Sequence, residues 1–247
     1  MVSIFLFFVA FAGGALNSVA GGGSFLTFPT LLYAGVTPVV ANATSALAMW
    51  PGSMSSAVAY RRELVLGPRI VVLSVASVVG GLAGAILLVR TSDTSFMRLL
   101  PWLMLLAAGT FTFAGRLSPV KQASSAPGDR TLWVLAALQC VIAVYGGYFG
   151  GGMGIMMLAM FAVAGMTDIH EMNGLKVVLA AATNGVAIVA FIVTRQIAWA
   201  PGLLMVAGSI LGGYAGAAMA RRVDRRAIRA FVIAIGWTMT IYFFVRG

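Results

Sequence analysis

The chain's 247 residues are 61% hydrophobic and only 9% charged, against about 25% charged in an ordinary soluble domain, so a water-soluble fold is excluded. The 16 Lys and Arg against 6 Asp and Glu give a net charge of +10. They sit in short clusters between long apolar runs, the pattern of membrane-orientation signals and not of a nucleic-acid face.

The first apolar run covers 2–34. Its Ile4–Ala12 stretch has the look of a secretory signal core, but no Lys or Arg precedes it, so it is expected to stay in the mature protein. The run is too long for one span and is broken at Gly21-Gly22-Gly23. Runs at 39–60, 69–89 and 96–115 follow, each close to the ~20 residues needed to cross hydrocarbon. A polar stretch, Leu117–Arg130, leads into a second overlong run at 131–164, broken at Gly150-Gly151-Gly152. Three more spans are expected at 172–193, 200–220 and 227–245. Cys140, the single cysteine, lies in an apolar run; it has no intrachain partner and reads as a buried, inert thiol.

The two overlong runs open two copies of an internal repeat. The first copy reads Gly21-Gly22-Gly23-Ser24, then Ala34-Gly35-Val36-Thr37, then Gly80-Gly81-Leu82-Ala83-Gly84-Ala85. The second reads Gly150-Gly151-Gly152-Met153, then Ala164-Gly165-Met166-Thr167, then Gly212-Gly213-Tyr214-Ala215-Gly216-Ala217. The landmarks keep their order at offsets of 129, 130 and 132 residues. The chain therefore divides into a first repeat at 1–116, a linker at 117–130 and a second repeat at 131–247.

Positive charges choose the topology, because cytoplasmic loops carry the Lys and Arg excess. If each broken run crosses once, the two sides carry nearly equal charge. If each enters and leaves on one face, Arg61, Arg62, Arg69, Arg116, Lys121, Arg130 and the arginines at 221, 222, 225, 226 and 229 share a side. Only Arg90, Arg98, Arg195 and Arg246 then lie opposite. The expected fold is an all-α integral membrane protein of two inverted repeats, each a broken or re-entrant helical segment plus three transmembrane helices. The linker is expected to be cytoplasmic and both termini outside. Inverted repeats suit alternating access to a midplane site.

The motif Asn17-Ser18-Val19-Ala20-Gly21-Gly22-Gly23-Ser24, with Pro29, Gly35-Val36-Thr37-Pro38 and Ala41-Asn42-Ala43-Thr44, resembles the TauE/SafE family of sulfite and sulfonate exporters. The second copy, Gly147-Tyr148-Phe149-Gly150-Gly151-Gly152-Met153-Gly154 with Thr167 and Asn173, resembles that family's second half. The resemblance covers essentially the whole chain. It implies an eight-segment transporter of small organosulfur or sulfur-oxyanion substrates in the cell inner membrane.

The residues argue for an anion independently. A glycine triplet inside an apolar run frees backbone N–H groups that hydrocarbon does not tolerate. A half-helix restarting at Ser24 or Met153 points its free amides and positive dipole end at the break, a ready anion site. Candidate substrate-binding residues are Asn17, Gly21, Gly22, Gly23, Ser24, Thr27, Asn42 and Thr44 in the first copy. In the second they are Gly150, Gly151, Gly152, Met153, Asn173, Lys176 and Asn184. Lys176 stands well inside a span, where a charge costs roughly 2.5–3.5 kcal/mol on insertion scales; it either pairs with the anion or snorkels outward. By contrast, Gly80/Gly84 and Gly212/Gly216 have the G-x-x-x-G spacing of close helix packing.

Asp168, His170 and Glu171 read as helix N-terminal polar residues and less as a proton relay. There is no H-E-x-x-H and no G-x-S-x-G, so no enzyme is expected, and no cofactor or metal is implied. The expected partners are a small anionic substrate and the lipid bilayer; a single chain suffices for the mechanism and a homodimer is compatible with it. The competing readings are a non-transporting assembly or sensor component, in which the glycines serve packing, and an anion channel.

Overall fold

A chain without water around its backbone must satisfy its N–H and C=O groups internally, and a helix does so within one segment. The computed structural model describes residues 2–19, 22–59, 68–113, 129–219 and 225–246, and these are helical with short turns. The helices are α1 (Val2–Val19), α2 (Ser24–Tyr33), α3 (Pro38–Ala59), α4 (Pro68–Arg90), α5 (Asp93–Phe113), α6 (Asp129–Tyr148), α7 (Met153–Val163), α8 (Ile169–Val193), α9 (Trp199–Met219) and α10 (Arg225–Arg246). Both overlong runs are thus split at their glycine triplets. Gly21, the linker up to residue 128, and Arg61, Arg62, Arg116, Lys121, Arg221 and Arg222 lie outside the described residues.

The first split makes a hairpin. The Phe5 and Tyr33 rings stand 6.5 Å apart, and a Cβ on Gly13 would sit 3.2 Å from Thr27 Cγ2, so α2 runs back along α1. In the second copy α7 lies on α6 and α8, with Met157, Met160 and Phe161 in one buried cluster with Ala136 and Leu179. By length and apolarity α4, α5, α6 and α8 qualify as membrane-crossing helices. That includes Thr131–Tyr148 of α6, so this arm of the second broken segment is long enough to reach across hydrocarbon.

The Ala-Gly-x-Thr landmarks are helix stops. At the end of α2, Gly35 N–H donates to Leu32 O and Val36 N–H to Leu31 O, both at 3.0 Å. At the end of α7, Gly165 N–H donates to Ala162 O at 3.1 Å and Met166 N–H to Phe161 O at 3.0 Å. These paired bonds are the Schellman motif, which needs a left-handed residue after the cap; Gly35 and Gly165 supply it at φ +84° and +85°.

The third landmark locks the halves together. Gly80 and Gly84 of α4 bring its backbone against Cys140 and Val144 of α6, and Gly212 and Gly216 of α9 do the same against Phe11 and Ala15 of α1. The contacted residues are themselves 129 apart in sequence, so one repeat's contact reappears in the other. Each half therefore lays its fourth helix on the first helix of its partner half. Between bilayer-embedded helices such contacts hold through van der Waals packing, which small residues permit by letting backbones approach. At the centre α3 meets α8, where Trp50 Nε1 donates to Ala181 O at 3.2 Å.

The outer surface is apolar: Val71, Leu87, Leu203, Ile210 and Ile241 are all exposed. Aromatic residues close to helix ends, including Tyr33, Trp133, Trp199 and Tyr242, are exposed as well, as residues at the headgroup level are. Inside, Phe28 packs edge-on to Phe96 and Phe149 and at a tilt to Phe243, with centroids 6.0, 6.3 and 6.2 Å away. This aromatic cluster ties α2 to α5, to the second break and to α10.

Candidate functional site: two glycine breaks at one phenylalanine

Beyond the described end of α1 at Val19, Gly22 takes φ +88°, a left-handed conformation that side chains disfavour. Gly23 then caps α2 with no side-chain hydrogen bond. The first bonds of α2 run from Phe25 N to Gly22 O at 3.0 Å and from Leu26 N to Gly23 O at 3.1 Å. The N–H groups of Gly23 and Ser24 meet no backbone acceptor among the described residues. Side chains around this break bond to the protein itself. The Thr27 and Ser45 hydroxyls are 2.6 Å apart; Asn17 Nδ2 donates to Ser53 Oγ at 2.7 Å, which donates to Met49 O at 3.0 Å. Ser18 Oγ returns to Ala15 O at 2.8 Å.

The second break is more open electrically. Phe149 N–H and Gly150 N–H both donate to Tyr145 O, at 2.9 and 3.3 Å, and close α6. Gly150 and Gly152 are left-handed, at φ +80° and +81°. The amides of Gly151, Gly152 and Gly154 meet no backbone acceptor among the described residues, and Gly151 and Gly152 are buried. The Tyr145 hydroxyl lies 2.6 Å from Gly151 O and 3.1 Å from Leu103 O. Its bond to Gly151 O fixes the 151–152 peptide plane, and because C=O and N–H of a trans peptide point oppositely, it turns the Gly152 N–H away from Tyr145.

Lys176 completes this break. A Cβ on Gly154, the second residue of α7, would sit 3.3 Å from Lys176 Cδ, so the lysine stem lies across the start of that helix. Its ammonium donates to Asn173 Oδ1 at 2.8 Å, and no carboxylate pairs with it among the described residues. A positive helix end and an ammonium side by side in apolar surroundings repel each other unless an anion joins them. The repeat position of Lys176, 131 residues earlier by the Asn42/Asn173 match, is Ser45, which is bonded to Thr27. Among the described residues, this repeat position therefore brings charge to the second break and not to the first.

The two breaks meet. A Cβ on Gly22 would lie 3.2 Å from Phe111 Cζ and 3.0 Å from Val232 Cγ1; one on Gly152 would lie 3.4 Å from Phe111 Cε2 and 2.9 Å from Ala107 Cβ. Adjacent atoms of one ring, on α5, thus touch both breaks. That ring is 1% exposed and stands edge-on to Phe25 at 6.0 Å. The sequence reading missed Phe111 and Tyr145: nothing local distinguishes them from other aromatic residues in apolar helices.

The remaining candidates divide. Asn42, 4% exposed, donates to Tyr148 O at 2.9 Å, so it serves the second break although it belongs to the first repeat. Thr44 is not at a break: its hydroxyl accepts from Ala198 N–H at 3.0 Å and holds the turn into α9. Met153 packs its sulfur on Gly146. Asn184 is half-buried on α8. Asp168 Oδ1 accepts from Glu171 N–H at 3.4 Å, placing it as the N-cap of α8. A cavity of about 460 Å³ lies elsewhere, on the outer face of α4, lined by Ile70, Val71, Ser74, Val75, Val78, Val79 and Val178.

Comparison with known proteins agrees with this architecture. The family described as sulfite exporter TauE/SafE matches residues 6–243. A Haemophilus influenzae protein called a probable membrane transporter protein is 30% identical over 95% of this chain and 91% of its own length. The Escherichia coli K12 protein called probable membrane transporter protein YfcA is 28% identical over 95% of this chain and 87% of its own. Probable membrane transporter protein ORF9 of a Sinorhizobium species is 29% identical over 96% and 90%. No solved structure matches the chain. With a match that runs almost from end to end and helices apolar enough to cross a bilayer, this multi-pass membrane protein belongs to the TauE/SafE family, a family of membrane transporters.

Proposed function

We propose that the protein carries a small sulfur-containing anion, sulfite, a sulfonate or a close relative, across the cell inner membrane by alternating access. The observation that carries this reading is the second break, where the buried Gly151 and Gly152 amides, the start of α7 and Lys176 collect positive potential with no carboxylate among the described residues to balance it. An oxyanion has acceptor atoms for several amides at once and a charge for the ammonium. The exchanged α4–α6 and α9–α1 contacts support two equivalent packing units, each holding helices of both repeats, that move against each other, and the arginine distribution supports the inverted orientation of the repeats.

The test is thermal stabilisation of the purified protein by sulfite, sulfoacetate, taurine, sulfate, thiosulfate and acetate. A ligand at a hundred times its Kd adds about 2.7 kcal/mol to apparent stability. Sulfur oxyanions should raise the Tm of the wild type, and Lys176→Gln should lose that rise while its ligand-free Tm holds. Gly154→Ala is the finer probe, since its Cβ pushes only on the flexible stem of Lys176; it should change anion affinity without loss of folded protein. If no anion shifts the wild type, the glycine breaks serve packing and the assembly or sensor reading takes its place.

A further inference from the structure

The two breaks adjoin a common region, yet that region is filled. Phe111 reaches Gly22 with Cζ and Gly152 with Cε2, and Phe25, Val232 and Ala107 close the space around it. These neighbours are apolar and almost wholly buried: Phe25, Val232 and Ala107 are 2%, 2% and 0% exposed. An anion cannot touch both breaks while the ring is there, because it would have to occupy the volume of the ring or give up its hydrogen bonds to an apolar wall. The helix carrying Phe111 meets its neighbours through small residues at this level. Ala107 and Ala108 are its contacts to Gly152 and to Gly236 of α10, and beside Gly109 a Cβ would find nothing within 4 Å.

We propose that Phe111 is the gate of the anion path: its ring separates the two glycine breaks in this closed state and must swing aside before substrate bridges them. This rests on the transport reading given above and adds to it a specificity-determining residue outside the repeat motifs. A ring that has to leave makes passage depend on what enters, since only a ligand that binds the open arrangement better than the closed one shifts the equilibrium.

Two measurements test it, one of which needs no transport. In a Cys140→Ser background, Val232→Cys places a near-isosteric thiol beside Gly22, where the ring also packs. Its labelling by a small sulfonate-bearing thiol reagent should be slow with Phe111 present and at least about tenfold faster with Phe111→Ala, in proportion to the open fraction. In proteoliposomes, Phe111→Ala should raise anion leak and admit chloride, whereas Phe111→Trp should block flux while the protein stays folded. Equal labelling with and without the ring overturns the gate, as does loss of flux in both variants in proportion to lost folded protein. Faster labelling in Phe111→Ala, with a wild type that moves no anion, keeps Phe111 as the barrier between the breaks and overturns the transport reading alone.

Discussion

Gly152→Ala is the substitution whose cost the structure defines most sharply. The residue sits at φ +81°, where a side chain costs roughly 1–2 kcal/mol. Its Cβ would lie 2.9 Å from Ala107 Cβ and 3.4 Å from Phe111 Cε2, overpacking of the kind that costs about 1–3 kcal/mol. Restricting the unfolded chain returns roughly 0.4–1 kcal/mol. The net loss is about 1–5 kcal/mol, or on the order of 2–20 °C in Tm at this chain length. Gly109→Ala is the matched control: it lies on α5 two residues from Phe111, in helix, with nothing within 4 Å of the added methyl. It should gain roughly 0.5–1 kcal/mol from helix propensity. Both are read by thermal unfolding of detergent-solubilised protein followed by size-exclusion chromatography. If Gly152→Ala melts with the wild type or with Gly109→Ala, the left-handed start of α7 is not required and the packing of the second break is misread.

Asn42→Leu removes the donor to Tyr148 O across the repeat boundary and should cost about 1–3 kcal/mol for the carbonyl left buried, seen as a lowered Tm. Gly35→Ala and Gly165→Ala keep their space, since nothing lies within 4 Å of either Cβ, but not their positive φ. Each should lose about 1 kcal/mol, and the two losses should match because the Schellman motifs match. Gln139 is wholly buried, with Nε2 donating to Ser77 Oγ at 2.8 Å and Oε1 without a partner among the described residues. Gln139→Leu should therefore be neutral or stabilising by up to about 1 kcal/mol, because Ser77 keeps its bond to Leu73 O; a Tm several degrees lower would give Oε1 a role that the structure does not show.

Local chemistry made much of this protein legible in its sequence. Apolar run length set the helices, since hydrocarbon leaves the backbone no other partner. Left-handed glycines of the two triplets lie between α1 and α2 and between α6 and α7, where they break the helical ladder, and Ala-Gly-x-Thr ended α2 and α7 for the same reason. G-x-x-x-G marked the close crossings of α4 and α9. What tertiary structure decided was which residues stand together. Asn42 bonds to the break of the other repeat, Thr44 leaves the site for the turn into α9, and Lys176 lies across the start of α7. Phe111 meets both breaks although it is nowhere near either in sequence. Helix periodicity says which residues share a face; it does not say which faces meet, and in a bilayer every outward face is equally apolar. The choice of partners falls to shape, which only the packed helices express.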